Sequence, residues 1–122
     1  MLKPISPTMH GAMDYMTVMG TAAAPRLLDL PGRAGKAAYG IAAAILGLAA
    51  FTDFKPGIKH AVPLKAHGMA DTVMGLALPA VPWMMGFAKN KKARNFFLGL
   101  TGMMVLTTML TDWSPKGRRR RR

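Results

Sequence analysis

The chain of 122 residues contains no cysteine and no glutamate. The lack of cysteine excludes a disulfide, a thiolate metal site and a cysteine nucleophile. All five acidic residues are therefore aspartates, and any carboxylate chemistry must use them. No Ser-His-Asp order, phosphate-binding loop or nucleotide fingerprint is present either. We therefore expect that the protein is not an enzyme and needs no cofactor.

Charged residues are scarce and unevenly spread. They make up 18% of the chain, whereas soluble domains carry about 25%. Four stretches have no charged side chain at all: residues 15–25, 37–52, 72–88 and 95–111. A helix in water needs a polar face along its whole length. These stretches therefore predict helices that are surrounded by hydrocarbon.

An internal duplication organises the chain. Residues 10–14 read His-Gly-Ala-Met-Asp and residues 67–71 read His-Gly-Met-Ala-Asp, at an offset of 57. Residues 52–54 read Thr-Asp-Phe and residues 111–113 read Thr-Asp-Trp, at an offset of 59. Each copy thus runs from an HGxxD motif to a Thr-Asp-aromatic motif, which indicates two tandem structural repeats.

Each repeat contains two apolar segments that are long enough to cross a bilayer. They are Thr8–Leu28, Lys36–Asp53, Ala66–Ala88 and Arg94–Asp112, and each measures roughly 30 Å as a helix. The sequence predicts an all-α integral membrane four-helix bundle of two hairpin repeats, about residues 6–60 and 61–113, in one domain of residues 1–113. Pro79 and Pro82 are expected to kink the third helix. Both HGxxD starts and both Thr-Asp ends should lie at one membrane face.

The net charge of +12 fits lipid headgroups better than nucleic acid, because the basic residues lie between the apolar stretches and no aromatics are interleaved with them. Residues 114–122 are predicted to be a disordered basic tail. Its consecutive arginines are expected to contact anionic headgroups; they are Arg118, Arg119, Arg120, Arg121 and Arg122. We expect a multi-pass protein of the cell (inner) membrane, with the lipid bilayer, further copies of itself or a membrane protein as partners.

Residues 78–83 read Leu-Pro-Ala-Val-Pro-Trp and follow an HGxxD start and a Gly-rich apolar run. This segment resembles the SPW repeat of small prokaryotic integral membrane proteins, in which the first helix of a two-helix unit carries a Ser-Pro-Trp motif. Here Pro82 and Trp83 match the motif in the second copy and Pro25 matches it in the first, while the serine is absent from both. The resemblance covers roughly residues 6–113. It implies the architecture and the membrane location, and no activity.

One set of ionisable residues is duplicated and is therefore a candidate polar or ion site. Its members are His10, Asp14, Asp53, His67, Asp71 and Asp112. His and Asp four residues apart share a helix face, and symmetric packing would bring the two copies together. Intramembrane carboxylates of this kind mark functional sites by default.

Three interpretations of this set remain open. The aspartates could complement helix dipoles and pair with the histidines, with no further role. The set could bind a cation or relay protons, and its ligand types would suit zinc, manganese or iron. The two histidines could also be axial ligands of a haem. The corresponding functions are a structural or accessory membrane protein, a cation- or proton-handling protein, and a membrane redox protein.

Overall fold

The computed structural model describes residues 3–113, and all regular secondary structure in that range is helical. Helix α1 spans Pro7–Leu27 and α2 spans Gly32–Ala50. Helix α3 spans Leu64–Ala77 and continues through a 3₁₀ turn, Leu78–Ala80, into the short helix α4, Val81–Met84. Helix α5 spans Lys91–Leu110. The all-α fold class is thus confirmed; the arginine tail and the rest of residues 114–122 lie outside the described residues.

Local sequence explains where the helices begin. The Ser6 side chain accepts a hydrogen bond from Met9 N at the start of α1, where Pro7 occupies the first turn. The Asn90 side chain accepts one from Ala93 N at the start of α5. Both are N-caps, which satisfy backbone N–H groups that have no partner within the helix. Helix α2 begins after Pro31, whose φ of −61° is compatible with helix entry.

The third helical segment is interrupted, as the two prolines predict. Pro79 lies in the 3₁₀ turn, and Pro82 lies in α4. A proline has no N–H for the helical ladder and its ring clashes with the preceding turn. The motif prolines also end equivalent helices in the same way: Leu30 N donates to Pro25 O at 3.0 Å and Phe87 N donates to Pro82 O at 2.8 Å.

Two hairpins make up the bundle. Helix α1 packs along α2, and α3 packs on α5. The buried stripe of α2 consists mainly of small side chains that let neighbouring helices approach closely: Ala34, Ala38, Ala42 and Ala49. One core cluster lies near the hairpin loops and includes Phe87 and Phe97. A second, around Phe54 and Leu64, lies beside the duplicated His/Asp residues.

Two isolated pairs of extended residues join the repeats at this second end. Ile5 bridges to Thr111 and Val62 bridges to Thr52, both in parallel orientation. Each pair joins the residue five positions before an HGxxD histidine to the threonine of a Thr-Asp motif. The starts and ends of the repeats therefore meet at one end of the bundle, as the duplication predicts.

Apolar side chains cover much of the outer surface. Met19 is 72% exposed, Leu76 is 78% exposed and Met84 is 80% exposed. Among the described residues, one helix, Lys91–Leu110, is long and apolar enough to span a membrane by length and composition. Four such helices were expected. The others contain His10 and Asp14 in α1, basic residues at the start of α2, or the proline break after α3.

Candidate metal centre

Four of the six candidate residues converge between the helices, at the end of the bundle where the repeats meet. His10 and Asp14 come from α1, and His67 and Asp71 come from α3. One ligand atom from each of the four lies within 4.8 Å of the others. Both histidines are almost completely buried, at 1% and 0% exposure, and the two aspartates are 14% and 7% exposed. The spacing of four residues puts each pair on one helix face, and the side chains of the two pairs meet between α1 and α3.

The nitrogen–oxygen distances in this cluster are short enough for one ion to contact all four residues. His10 Nε2 lies 2.9 Å from Asp71 Oδ2 and 3.4 Å from Asp14 Oδ1. His67 Nε2 lies 3.1 Å from Asp71 Oδ2 and 3.1 Å from Asp14 Oδ2. A tetrahedron with bonds of about 2.0–2.1 Å to a central ion has edges of roughly 3.3 Å. The four N–O distances are close to such an edge, but two of them end on different oxygens of Asp14. One oxygen of Asp14 therefore has to be selected when an ion binds.

Two of these buried atoms lack a hydrogen bond. His67 Nε2 and Asp14 Oδ2 face each other at 3.1 Å, yet within residues 3–113 neither makes a hydrogen bond. Buried polar atoms are nearly always paired, and an exception calls for an explanation such as an ion or a water. A cation between the two atoms would satisfy both, because each would direct a lone pair at it. A cavity of about 20 Å³ also lies against His10, Asp14 and Asp71, enough for one water-sized ligand.

The other nitrogen of each imidazole binds a threonine hydroxyl. His10 Nδ1 lies 2.8 Å from Thr111 Oγ1, and His67 Nδ1 lies 2.7 Å from Thr52 Oγ1. Each threonine belongs to the opposite repeat from its histidine. In metalloproteins the second nitrogen of a ligating histidine is almost always held in this way by an outer partner. Both imidazoles are thus oriented with Nε2 toward the aspartates.

The glycine and the aromatic residue of the motifs complete the walls of the centre. The Phe54 ring lies 5.4 Å from that of His67, and the Trp113 ring lies 4.6 Å from that of His10. A Cβ on Gly11 would lie 3.0 Å from Phe54 Cζ, and one on Gly68 would lie 3.0 Å from Trp113 Cδ2. Glycine suits these positions because an added Cβ would force the neighbouring ring to shift by a few tenths of an ångström.

Asp53 and Asp112, which the sequence pattern grouped with these four residues, are not part of this cluster. Each follows a threonine whose hydroxyl faces a histidine, and consecutive side chains of extended backbone point to opposite sides. Asp53 instead lies 3.2 Å from Nδ1 of His60, in the connector between the hairpins. Asp112 N donates to Ile5 O at 2.9 Å, which joins the two ends of the fold.

The geometry does not suit a haem between the two histidines. The imidazole ring centroids of His10 and His67 are 5.2 Å apart, edge to face. Axial histidines bind iron from opposite sides of a porphyrin, and rings in direct contact leave no space for the macrocycle. The carboxylates also occupy the region that both Nε2 atoms face.

Sequence reasoning found the four converging residues and missed their supports. In the sequence, Thr52 and Thr111 only mark the ends of the repeats, and Gly11 and Gly68 are only positions shared by the two copies of the HGxxD motif. Their contacts with the histidines and the aromatic rings are not predicted. The available signal was their repetition beside the ionisable residues. No protein-family model matches the chain, and neither do any curated protein or any solved structure.

Proposed function

We propose that this chain is a small membrane protein that binds one divalent transition-metal ion between its two repeats. The observation that carries the proposal is the convergence of two imidazoles and two carboxylates, with one ligand atom of each within 4.8 Å of the others. The ligands would be His10, Asp14, His67 and Asp71. Of the three functions left open by the sequence, this geometry supports the cation-handling one best. The accessory role becomes the alternative outcome of the experiment.

The balance of charge supports binding of a dication. Two ionised aspartates carry two negative charges, and a buried charge is costly unless it is paired. A dication held by two carboxylates and two neutral imidazoles makes a neutral centre. Nitrogen and oxygen ligands in this ratio suit zinc, manganese or iron. The same four residues could alternatively pair only with one another, which would lock the helices without an ion.

The membrane location is part of the proposal and rests on the outer surface. Apolar side chains such as Met16, Leu76 and Met109 are largely exposed on three different helices. Contiguous exposed apolar surface marks contact with lipid or with another protein. We infer four membrane-spanning segments in two hairpins, with Trp83 and the basic hairpin loops at one headgroup layer. The SPW-repeat relationship also remains a proposal, on the prolines and the tryptophan already described.

Location is tested by extraction of isolated membranes with alkaline carbonate or urea. We expect the protein to stay in the pellet and to need detergent for release, because hydrocarbon is its solvent. A monomeric protein that remains soluble after carbonate extraction would overturn the membrane proposal. Reconstitution into vesicles and flotation provides a second measurement.

Metal binding is tested by titrating the detergent-purified protein with zinc in competition with a chromophoric chelator. One ion per chain is expected for the wild type, and a double variant His10→Asn with His67→Asn should lose high-affinity binding. His60→Asn is the matched control, since His60 also pairs with an aspartate but lies outside the centre. Equal zinc binding by the wild type and the double variant would support the purely structural interpretation.

Cobalt substitution gives a readout that does not depend on a folded variant. In a tetrahedral site of two nitrogens and two oxygens, Co²⁺ should show the intense visible absorption typical of four-coordination. Zinc should displace it with one-to-one stoichiometry. A weak spectrum of the octahedral type would contradict the proposed ligand set.

A further inference from the structure

We infer that Thr52 and Thr111 are positioning residues of the centre, and that they set the class of ion it accepts. Their hydroxyls keep a proton on Nδ1 of both imidazoles, so Nε2 is the nitrogen that gives its lone pair to the ion. The inference rests on the proposed function. It specifies the ion as a transition-metal dication that binds imidazole nitrogen, rather than Mg²⁺ or Ca²⁺.

Each of the two threonine hydroxyls already donates its proton to a backbone carbonyl. Thr111 Oγ1 donates to Thr107 O at 2.6 Å, and Thr52 Oγ1 donates to Leu48 O in the same way. Two oxygens approach this closely when a proton lies between them, and a carbonyl has no proton to give. Both carbonyls lie near helix C-termini, where the backbone lacks helical donors. The threonine proton is therefore committed to the carbonyl.

The histidine must then supply the proton of the second hydrogen bond. A hydroxyl whose single proton is used can still accept, but it cannot donate again. Nδ1 of His10 and Nδ1 of His67 are the donors, at 2.8 Å and 2.7 Å. In a neutral imidazole, a proton on Nδ1 leaves the lone pair on Nε2. Nε2 is the nitrogen that faces the two carboxylates. Without an ion, Nε2 of His10 donates a hydrogen bond to Asp71 Oδ2 at 2.9 Å, because an ionised carboxylate can only accept. Binding of the ion releases this proton and leaves the lone pair of Nε2 as the ligand.

Two fixed nitrogen lone pairs narrow the choice of ion. Zinc, iron and manganese accept imidazole nitrogen, whereas Mg²⁺ and Ca²⁺ prefer a shell of oxygens. A centre that lost this tautomer would present N–H groups to the cation and repel it. Because each threonine belongs to the repeat opposite its histidine, the imidazoles are oriented only when the two hairpins are docked.

The decisive experiment replaces the hydroxyls without changing the shape of the side chain. Thr52→Val and Thr111→Val are made singly and together. Each substitution should weaken zinc binding by about 10- to 100-fold, the range typical for outer partners of metal ligands. Thr52→Ser and Thr111→Ser keep the hydroxyl and should restore most of the affinity. Thr101→Val is the matched control: Thr101 is buried and donates to Phe97 O, but it is not part of the centre, so zinc affinity should not change.

Nitrogen NMR of histidine-labelled, zinc-loaded wild type reads the tautomer directly. We expect a proton on Nδ1 and zinc on Nε2 for both His10 and His67. Zinc on Nδ1, or valine variants that bind zinc as tightly as the wild type, would overturn the role of the threonines. A wild type that binds no zinc would instead overturn the proposed function, so the two failures are distinguishable.

Discussion

The two repeats carry the same motifs, yet they contribute unequally to the centre. Asp71 of the second repeat places a single oxygen, Oδ2, 2.9 Å from His10 Nε2 and 3.1 Å from His67 Nε2. Asp14 of the first repeat uses both of its oxygens: Oδ1 lies 3.4 Å from His10 Nε2, and Oδ2 lies 3.1 Å from His67 Nε2. The side chain of Asp14 is also twice as exposed. The duplicated motif thus determines which residue types meet, while packing determines which aspartate contacts both imidazoles through one oxygen.

The largest expected effect tests this inequality directly. Asp71→Asn should lower zinc affinity by more than about 100-fold, beyond the range typical of outer partners, because it removes the carboxylate that contacts both imidazoles. Asp14→Asn should cost less, since its place is partly open to water. Parallel zinc titrations of the two variants measure the ratio, with Asp29→Asn in the hairpin loop as the control. Equal losses would mean that the ion draws both carboxylates into equivalent positions.

The glycine beside each histidine gives the second comparison. A Cβ on Gly11 would lie 2.6 Å from Pro56 Cγ, whereas the nearest atom to one on Gly68 is Trp113 Cδ2 at 3.0 Å. Overpacking of this kind costs about 1–3 kcal/mol. We expect Gly11→Ala to lower the thermal midpoint more than Gly68→Ala, because the Pro56 ring has less freedom to move. Thermal unfolding in detergent measures both.

Gly20→Ala is the control for these substitutions. Gly20 lies in α1, where an added Cβ would meet nothing within 4 Å. Alanine is favoured over glycine inside a helix by about 0.5–1 kcal/mol. A small gain in the thermal midpoint is therefore expected. Losses at Gly20 as large as those at Gly11 would show that the close packing of the aromatic rings is not the cause.

A smaller effect than that of Gly11→Ala is expected at the aromatic residue that differs between the repeats. Trp113→Phe makes the second motif like the first and removes the hydrogen bond from Trp113 Nε1 to Thr108 O, which is 3.0 Å long. The expected cost is about 0.5–1.5 kcal/mol of stability, with zinc affinity nearly unchanged because the ring still covers His10. Thermal unfolding and zinc titration check the two parts. A large loss of affinity would indicate that the indole orients His10.

Helix number and order could be read from the sequence, because uncharged stretches and proline positions report directly on helices and their ends. The boundaries were less accurate. Helix α2 begins at Gly32 and not at Lys36, and α5 begins at Lys91 and not at Arg94. In both, basic residues were assigned to the loop, whereas the chain places them in the first turn of the helix. The third helical segment ends at Met84 and not at Ala88, because Phe87 N donates its hydrogen bond to Pro82 O and no longer continues the helical pattern.

The site could be predicted only to the level of residue type and repeat. The spacing of His10 and Asp14, and of His67 and Asp71, required that each pair share a face. It could not show that Asp53 points away, since that depends on the extended backbone at Thr52. Nor could it show that a threonine of one repeat supports a histidine of the other. Such contacts are tertiary and depend on how two hairpins dock.

The crossed pairing of the repeats has a consequence for how such a protein could arise. One hairpin alone holds one imidazole, one carboxylate and one supporting hydroxyl, which is half of a centre. Two identical hairpins related by a twofold axis would assemble the whole of it as a dimer. The connector after Thr52 replaces that encounter with a tether, and a tether raises the effective concentration of the second half into the millimolar range. Fusion of two genes for a single hairpin would thus convert a concentration-dependent site into a permanent one, and free each half to diverge.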